Sequence, residues 1–251
     1  MNITTYKIEA LTNMHVGSGD TNYGVIDNLV QRDVTTSLPT INGSGLKGAL
    51  KKFFENQNFS NLNEVFGSND NNADFKFLSA KLLAIPLRSN KKEYFLATAP
   101  MIVKQLKKDA KLFGFNVDLK AFENLNPSSG KPIVFTDTTK LIVENFDHFD
   151  QKNQTGNTIF GNFENLIYLH DDDFKEMTDD FNLPVIARNK VGKDKNLWYE
   201  QVVPSRSLFY FTIIANKQNF TEFNNLIESN IIHIGANATV GYGFSKISKI
   251  Q

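Results

Sequence analysis

The chain has 251 residues, with 27 basic and 27 acidic side chains, a formal net charge of zero and 41% apolar content. That length and composition support one large domain with a full core, and the absence of cysteine excludes a disulfide scaffold or a thiolate metal site. No stretch approaches the roughly 18 uninterrupted apolar residues of a membrane span, and zero net charge counts against nucleic-acid binding unless the charges are segregated.

Tyr6, Ile8, Ala10, Thr12 and Met14 alternate with Lys7, Glu9 and Asn13, the period of a half-buried strand. This opening, MNITTYKIEAL, lacks the apolar run of a signal peptide, and the absence of cysteine fits a reducing cytoplasm, the expected location. A Gly-rich segment beginning at His15 follows, then Asp27 in an apolar frame, GVIDNLV. Taken alone, Asp27 reads as a turn aspartate, because Asp-Asn commonly makes Asx turns. Asp33, beside Arg32, reads as a salt-bridged surface residue. After LPTING, Ser44 is expected to be an N-cap, with Leu46, Leu50, Phe53 and Phe54 at helical spacing behind it. Lys47 and Lys51 share one face of that helix, and its N-terminus favours phosphate through free N–H groups and the macrodipole. Strands are predicted near 75–87 and 94–98, then a helix from Pro100 carrying Lys104, Lys107 and Lys108. Residues 126–161 are polar and predict loops with short strands at 133–135 and 141–143.

Acid collects at Asp171, Asp172, Asp173, Glu176, Asp179 and Asp180, whereas Arg188, Lys190, Lys193 and Lys195 cluster around the single acid Asp194. Segregation of this kind lets a neutral chain present one basic groove. Residues 185–211 read as two strands around a basic tip that contains Gly192. The only tryptophan, Trp198, starts the return strand, as a core residue or as a wedge between bases. Residues 208–215 form a buried strand, 219–229 a helix with Phe220, Phe223 and Ile227 on one side, and 231–234 and 244–250 two further strands. The order strand–helix–strand–strand–helix–strand is the split βαβ arrangement of ferredoxin-like and RRM-like domains, here an α+β fold with long insertions. The stretch IIHIGANATVGYGF places Gly235, Gly241 and Gly243 around Asn237. It reads either as a hairpin with a Gly bulge or as a nest whose N–H groups hold anionic oxygens. His15 and His233 flank Gly-rich loops and read as core histidines. No nucleophile elbow, HExxH or CxxC is present.

MHVGSG, the VID turn, LPTINGSGLKGAL and IGANATVGYG together closely resemble the RAMP superfamily of CRISPR proteins and, within it, the repeated backbone subunit of type III-B (Cmr) effector complexes. The resemblance runs through most of the chain. It implies a single RAMP domain over 1–251, with a modified ferredoxin-like/RRM-like palm, inserted segments, and a β-hairpin thumb at 185–211 that interrupts the guide–target duplex. It implies as partners a guide (CRISPR) RNA, a complementary target RNA, further copies of the chain and the other type III-B subunits, and no membrane. Asp27 matches the family's target-cleaving aspartate, acting either as ligand of a divalent metal such as Mg or Mn or as base toward a ribose 2′-hydroxyl. The implied reaction is metal-dependent cleavage to a 2′,3′-cyclic phosphate and a 5′-hydroxyl. RNA contacts are expected from Arg32, Ser44, Lys47 and Lys51, from Gly235, Asn237, Gly241 and Gly243 of the glycine loop, and from Arg188 and Lys190 of the hairpin. Two alternatives stand beside this reading. One is a non-catalytic filament subunit; the other is a guide-processing endoribonuclease, which would use a histidine base.

Overall fold

The computed structural model describes residues 1–19, 24–68, 71–190, 196–216 and 220–250. Strand β1 (Asn2–Ala10) shows the alternation read from its sequence, with Tyr6, Ile8 and Ala10 fully buried. It ends at Ala10, and Met14 instead makes an isolated antiparallel bridge to Val203. Helix α1 (Gly43–Asn56) buries Leu46, Leu50 and Phe54, one turn apart. Its N-cap is Asn42, not Ser44, and it makes no side-chain cap bond. The first helical position is Gly43, where a Cβ would lie 2.3 Å from the Phe77 carbonyl oxygen, so the close backbone approach requires glycine there. Ser44 therefore falls inside the first turn.

The expected strand over 75–87 is divided. Lys76–Phe77 pairs with Ile213–Ile214, and β2 (Ala80–Arg88) then pairs with β3 (Tyr94–Thr98). Helix α2 (Pro100–Phe113) has Pro at its first position and closes at Gly114, φ +72°, the usual asymmetry of helix ends. There follow β4 (Leu166–Tyr168), α3 (Asp171–Met177), β5 (Val185–Lys190), β6 (Asn196–Gln201), β7 (Leu208–Ala215), α4 (Phe220–Ser229), β8 (Ile231–His233) and β9 (Phe244–Lys249). The acidic run opens α3, where the macrodipole favours negative charge.

Among the described residues the main sheet runs β8–β9–β1–β7–β2–β3–β4 and continues through Ile133–Val134 and Asp150–Gln151. The neighbours β9, β1, β7 and β2 are all antiparallel, and β4 is parallel to β3. Helix α1 connects β1 toward β2, and α4 connects β7 to β8. The two helices meet where Phe54 stacks on Phe223, ring centroids 4.6 Å apart and 5° from parallel. Strand β7 is buried at every position except the half-buried Ile214, which explains its near-continuous apolar sequence; its one threonine, Thr212, pairs its Oγ1 with that of Thr5 at 2.9 Å. Helix α2 buries Asp109, whose Oδ2 accepts from Lys81 Nζ and Tyr210 Oη, each at 2.7 Å. The polar insertion has a core of its own. Phe122, Phe135, Phe160, Phe163 and Tyr168 form an aromatic cluster with centroids 5.0–5.9 Å apart, and this accounts for part of the high Phe content. Among the described residues no helix is long and apolar enough to cross a membrane.

Candidate nucleic-acid interface

Strands β5 and β6 pair from Val185–Gln201 to Lys190–Asn196 and form a sheet of their own. The paired strands end at Gln201, and Leu208–Ala215 belongs to the main sheet. The tip, with Gly192, Lys193 and Lys195, lies outside the described residues; Lys190 is the last paired residue before it.

The loop carrying Asp27 runs beside β6. Asn28 forms a parallel bridge with Glu200; its N–H donates to Tyr199 O at 3.1 Å and its carbonyl accepts from Gln201 N at 2.9 Å. Asp27 then extends this ladder with its side chain, because Tyr199 N donates to Asp27 Oδ2 at 2.7 Å. The carboxylate occupies the place that the next main-chain carbonyl would take, and the residue stays exposed. The apolar frame read from the sequence does not enclose it: Val25 is 88% exposed while Val30 is buried. The backbone ladder, and not apolar packing, fixes the acid.

The next residue, Glu200, is buried and collects three donors at 2.9 Å. Arg188 Nη1 and Asn237 Nδ2 donate to Oε2, and Trp198 Nε1 donates to Oε1. Burial pushes its carboxyl up, but the bonds from Trp198 and Arg188, with the charges of Arg188 and His15, outweigh burial and hold it below the ordinary glutamate value. The Arg188 guanidinium lies 5.5 Å from the Trp198 ring centroid and 5.6 Å from that of Tyr242, within cation–π range of both. Arg188, expected as an RNA contact, is thus an internal tie between the hairpin and the glycine loop. Trp198 is turned to the same face.

The glycine loop joins β8 to β9 and is wider than a hairpin bulge. A 3-10 turn, Ala238–Val240, sits between Asn237 (φ 65°) and Gly241 (φ 85°), both left-handed. Residues 238–241 are exposed. The root of the loop is sewn to the segment after β1, with Ala236 N donating to His15 O at 2.9 Å and Gly243 N to Asn13 O at 2.8 Å. A Cβ at Gly235 would lie 2.4 Å from His15 O, and one at Gly243 2.1 Å from Ile234 O, so close backbone approach demands glycine at both.

His15 is buried and its Nδ1 lies 2.7 Å from Gln201 O. A carbonyl only accepts, so Nδ1 carries the proton. His233 Nε2 is 3.4 Å from Ala236 O, so both histidines brace the loop at Ala236. Gln201, fully buried, also accepts from Val30 N and donates to Asp180 O.

Arg32 is engaged internally. Its Nε donates to Asp180 at 2.7 Å, and Nη1 donates to Ser37 O and Thr178 O at 2.8 Å. Asp33 is not its partner. Asp33 Oδ1 accepts the N–H groups of Thr35 and Thr36 and caps that turn. Ser44 and Lys47 line a shallow cleft with Lys76 and Phe77, and Lys51 lies one turn on, 4.0 Å from Glu55. Contacts link this helix start to the glycine loop: Asn42 N donates to Gln31 Oε1, Gln31 N donates to Val16 O, and Val16 packs against Gly235.

Among the described residues no group of three or more His, Asp or Glu side chains converges on one point. Asp27 offers one exposed carboxylate with one oxygen already hydrogen-bonded. Such a donor suits an ion that keeps most of its waters and completes its shell with substrate phosphate oxygens. Tyr199 reads from the sequence only as part of the return strand begun by Leu197 and Trp198, and Glu200 and Gln201 carry no expected role. Their signal was an acid and an amide interrupting an otherwise apolar return strand, WYEQVV.

A model of the RAMP superfamily matches residues 7–246. The chain is 29% identical over 274 aligned residues to the CRISPR system Cmr endoribonuclease Cmr4 of Pyrococcus furiosus, covering 95% of this chain and 92% of that one. Its fold is similar to a chain of a type III-B Cmr-beta complex bound to cognate target RNA (TM-score 0.78, 23% identity, 100% and 98% of the two chains covered). It is also similar to oligomeric Cmr4 from Pyrococcus furiosus (TM-score 0.74, 24% identity, 100% and 98% covered). With all but the outermost residues of the described fold inside the family match, the chain belongs to the RAMP superfamily.

Proposed function

We propose that this chain is a backbone subunit of a cytoplasmic type III-B CRISPR effector complex, which binds guide RNA in several copies and cuts the paired target RNA at regular intervals. The observation that carries this reading is the hydrogen bond that holds Asp27 on the β5–β6 hairpin, with the glycine loop tied to the same hairpin through Glu200. One carboxylate, one hairpin and one glycine-rich loop are thereby tied together through Tyr199 and Glu200. The likeness to Cmr4 of Pyrococcus furiosus supports the cleavage role.

The sheet order β9–β1–β7–β2, with α1 and α4 as crossovers, supports a ferredoxin-like palm, and β5–β6 supplies the thumb. Residues 238–241 of the glycine loop and the start of α1, with Ser44, Lys47 and Lys51, hold guide phosphates without reading bases. Asp27 accepts the proton of a target 2′-hydroxyl. The 2′-oxygen then attacks the adjacent phosphorus, the 5′-oxygen leaves and takes a proton from water, and the products are a 2′,3′-cyclic phosphate and a 5′-hydroxyl. A divalent ion such as Mg or Mn, held by Asp27 and target phosphates, would neutralise the charge that builds on the phosphate oxygens. A histidine-based processing enzyme fits less well, because His15 is buried with its Nδ1 engaged.

The reading is tested by assembling the chain with its companion subunits and a guide, and sizing the products of end-labelled complementary RNA. Cuts at one constant spacing are expected, because identical subunits stacked head to tail repeat the same site along the duplex. Irregular spacing, or full activity of a lone monomer on short RNA, contradicts it.

A further inference from the structure

The hairpin has two unlike faces. On one, Arg188 stands opposite Trp198 and Ile186 opposite Glu200, and this face is closed against Asn237 and Tyr242 of the glycine loop. On the other, Ala187 stands opposite Tyr199 and Asn189 opposite Leu197. Among the described residues this face is open: Leu197 is 59% and Tyr199 38% exposed, and Val25, two residues before Asp27, is 88% exposed. Tyr199 is the residue whose N–H holds the Asp27 carboxylate, so its exposed ring starts from the same backbone position as the acid's anchor.

Attack of a 2′-oxygen on the neighbouring phosphorus needs the oxygen in line with the departing 5′-oxygen. A nucleotide stacked in a regular A-form helix does not have that geometry, so the nucleotide that is cut must leave its stack. A base out of its stack needs another flat apolar surface. We propose that the Tyr199 ring, with Leu197 two residues away on the same hairpin face, is the stacking platform for the unstacked base of the nucleotide cut at Asp27. Tyr199 is then a substrate-positioning residue. The inference rests on Asp27 as the cleaving acid. Every base has a π-face, so such a platform tolerates any sequence, as cutting directed by base pairing requires. Trp198 is not this platform, because its ring faces Arg188 and its Nε1 donates to Glu200.

The test uses the assembled complex and a target carrying 2-aminopurine at the nucleotide whose 2′-hydroxyl attacks. Fluorescence is read in the Asp27→Asn background, so that the target stays intact, and single-turnover cleavage is read with Asp27 present. With Tyr199→Phe, quenched fluorescence and the wild-type rate are expected. With Tyr199→Ala, fluorescence should rise while target affinity holds, and the saturated rate should fall about 5- to 150-fold, the range of aromatic–base stacking expressed as a rate. Tyr199→Leu keeps bulk without a ring; should the alanine variant fail to assemble, the leucine variant is expected to show the same rise and loss. Unchanged fluorescence and rate in Tyr199→Ala or Tyr199→Leu overturn the platform. If Asp27→Asn cleaves normally, the assignment of the acid fails instead, and the two failures are distinguishable.

Discussion

Asp27 and Tyr199 are joined by a 2.7 Å hydrogen bond from the tyrosine N–H to the aspartate carboxylate. An asparagine at position 27 keeps an acceptor oxygen for that N–H, whereas an alanine leaves it without one. Asp27→Asn should therefore melt close to wild type, and Asp27→Ala should lose about 1 kcal/mol, the net worth of one ordinary hydrogen bond. Urea midpoints of the two variants check this. Equal loss in both would show that the bond does not anchor the loop.

Gly243 and Gly241 both have positive φ but differ in their surroundings. A Cβ at Gly243 meets the Ile234 carbonyl, whereas one at Gly241 meets open space. Gly241→Ala should cost about 1 kcal/mol from its backbone conformation alone, and Gly243→Ala distinctly more, because two backbone segments must separate. Thermal melts that rank the pair in the opposite order would contradict the described loop.

Lys47 and Lys51 are expected to meet guide phosphates. Replacing both with alanine should weaken every guide alike and lower the slope of log K against log salt by about 1.4, two single-strand phosphate contacts. Titrations at several salt concentrations give the slope. A loss confined to particular guide sequences would point to base contacts instead.

Glu200 links stability to pH. Its folded-state value is lowered, so the unfolded chain binds its proton more readily. Its contribution is complete above the unfolded value, about 4.3, and is lost as pH falls through the lower folded value. Glu200→Gln should flatten the stability profile on that acid limb and shift the emission of Trp198, the only tryptophan. Urea midpoints between pH 5 and 3, followed by tryptophan fluorescence, test both.

Much of the palm was legible in the sequence because single-element patterns carried it. The alternation of Tyr6, Ile8 and Ala10 and the helical spacing of Leu46, Leu50 and Phe54 are local signals, and the structure buries all six. Caps were less legible: Ser44 has the right chemistry, but the helix begins one residue earlier, at Gly43, behind Asn42, which makes no side-chain cap bond. The site was legible as a set of loops and not as a network. Arg188 looks like a free cation until Glu200, 12 residues away, closes on it. Arg32 looks like a partner for Asp33 until Asp180, 148 residues away, takes it. Pairings of that range depend on how the sheet brings strands together, which periodicity does not encode.

The central claim is that the Asp27 carboxylate cuts the target and does not hold the complex together. Its most direct test is a gel assay of labelled target RNA with purified complexes carrying Asp27 or Asp27→Asn. Asp27→Asn should lower the cleavage rate by about two to four decades, the usual worth of a catalytic acid–base group, while guide binding, target binding and the number of stacked subunits match wild type. Equal cleavage by both complexes would contradict it.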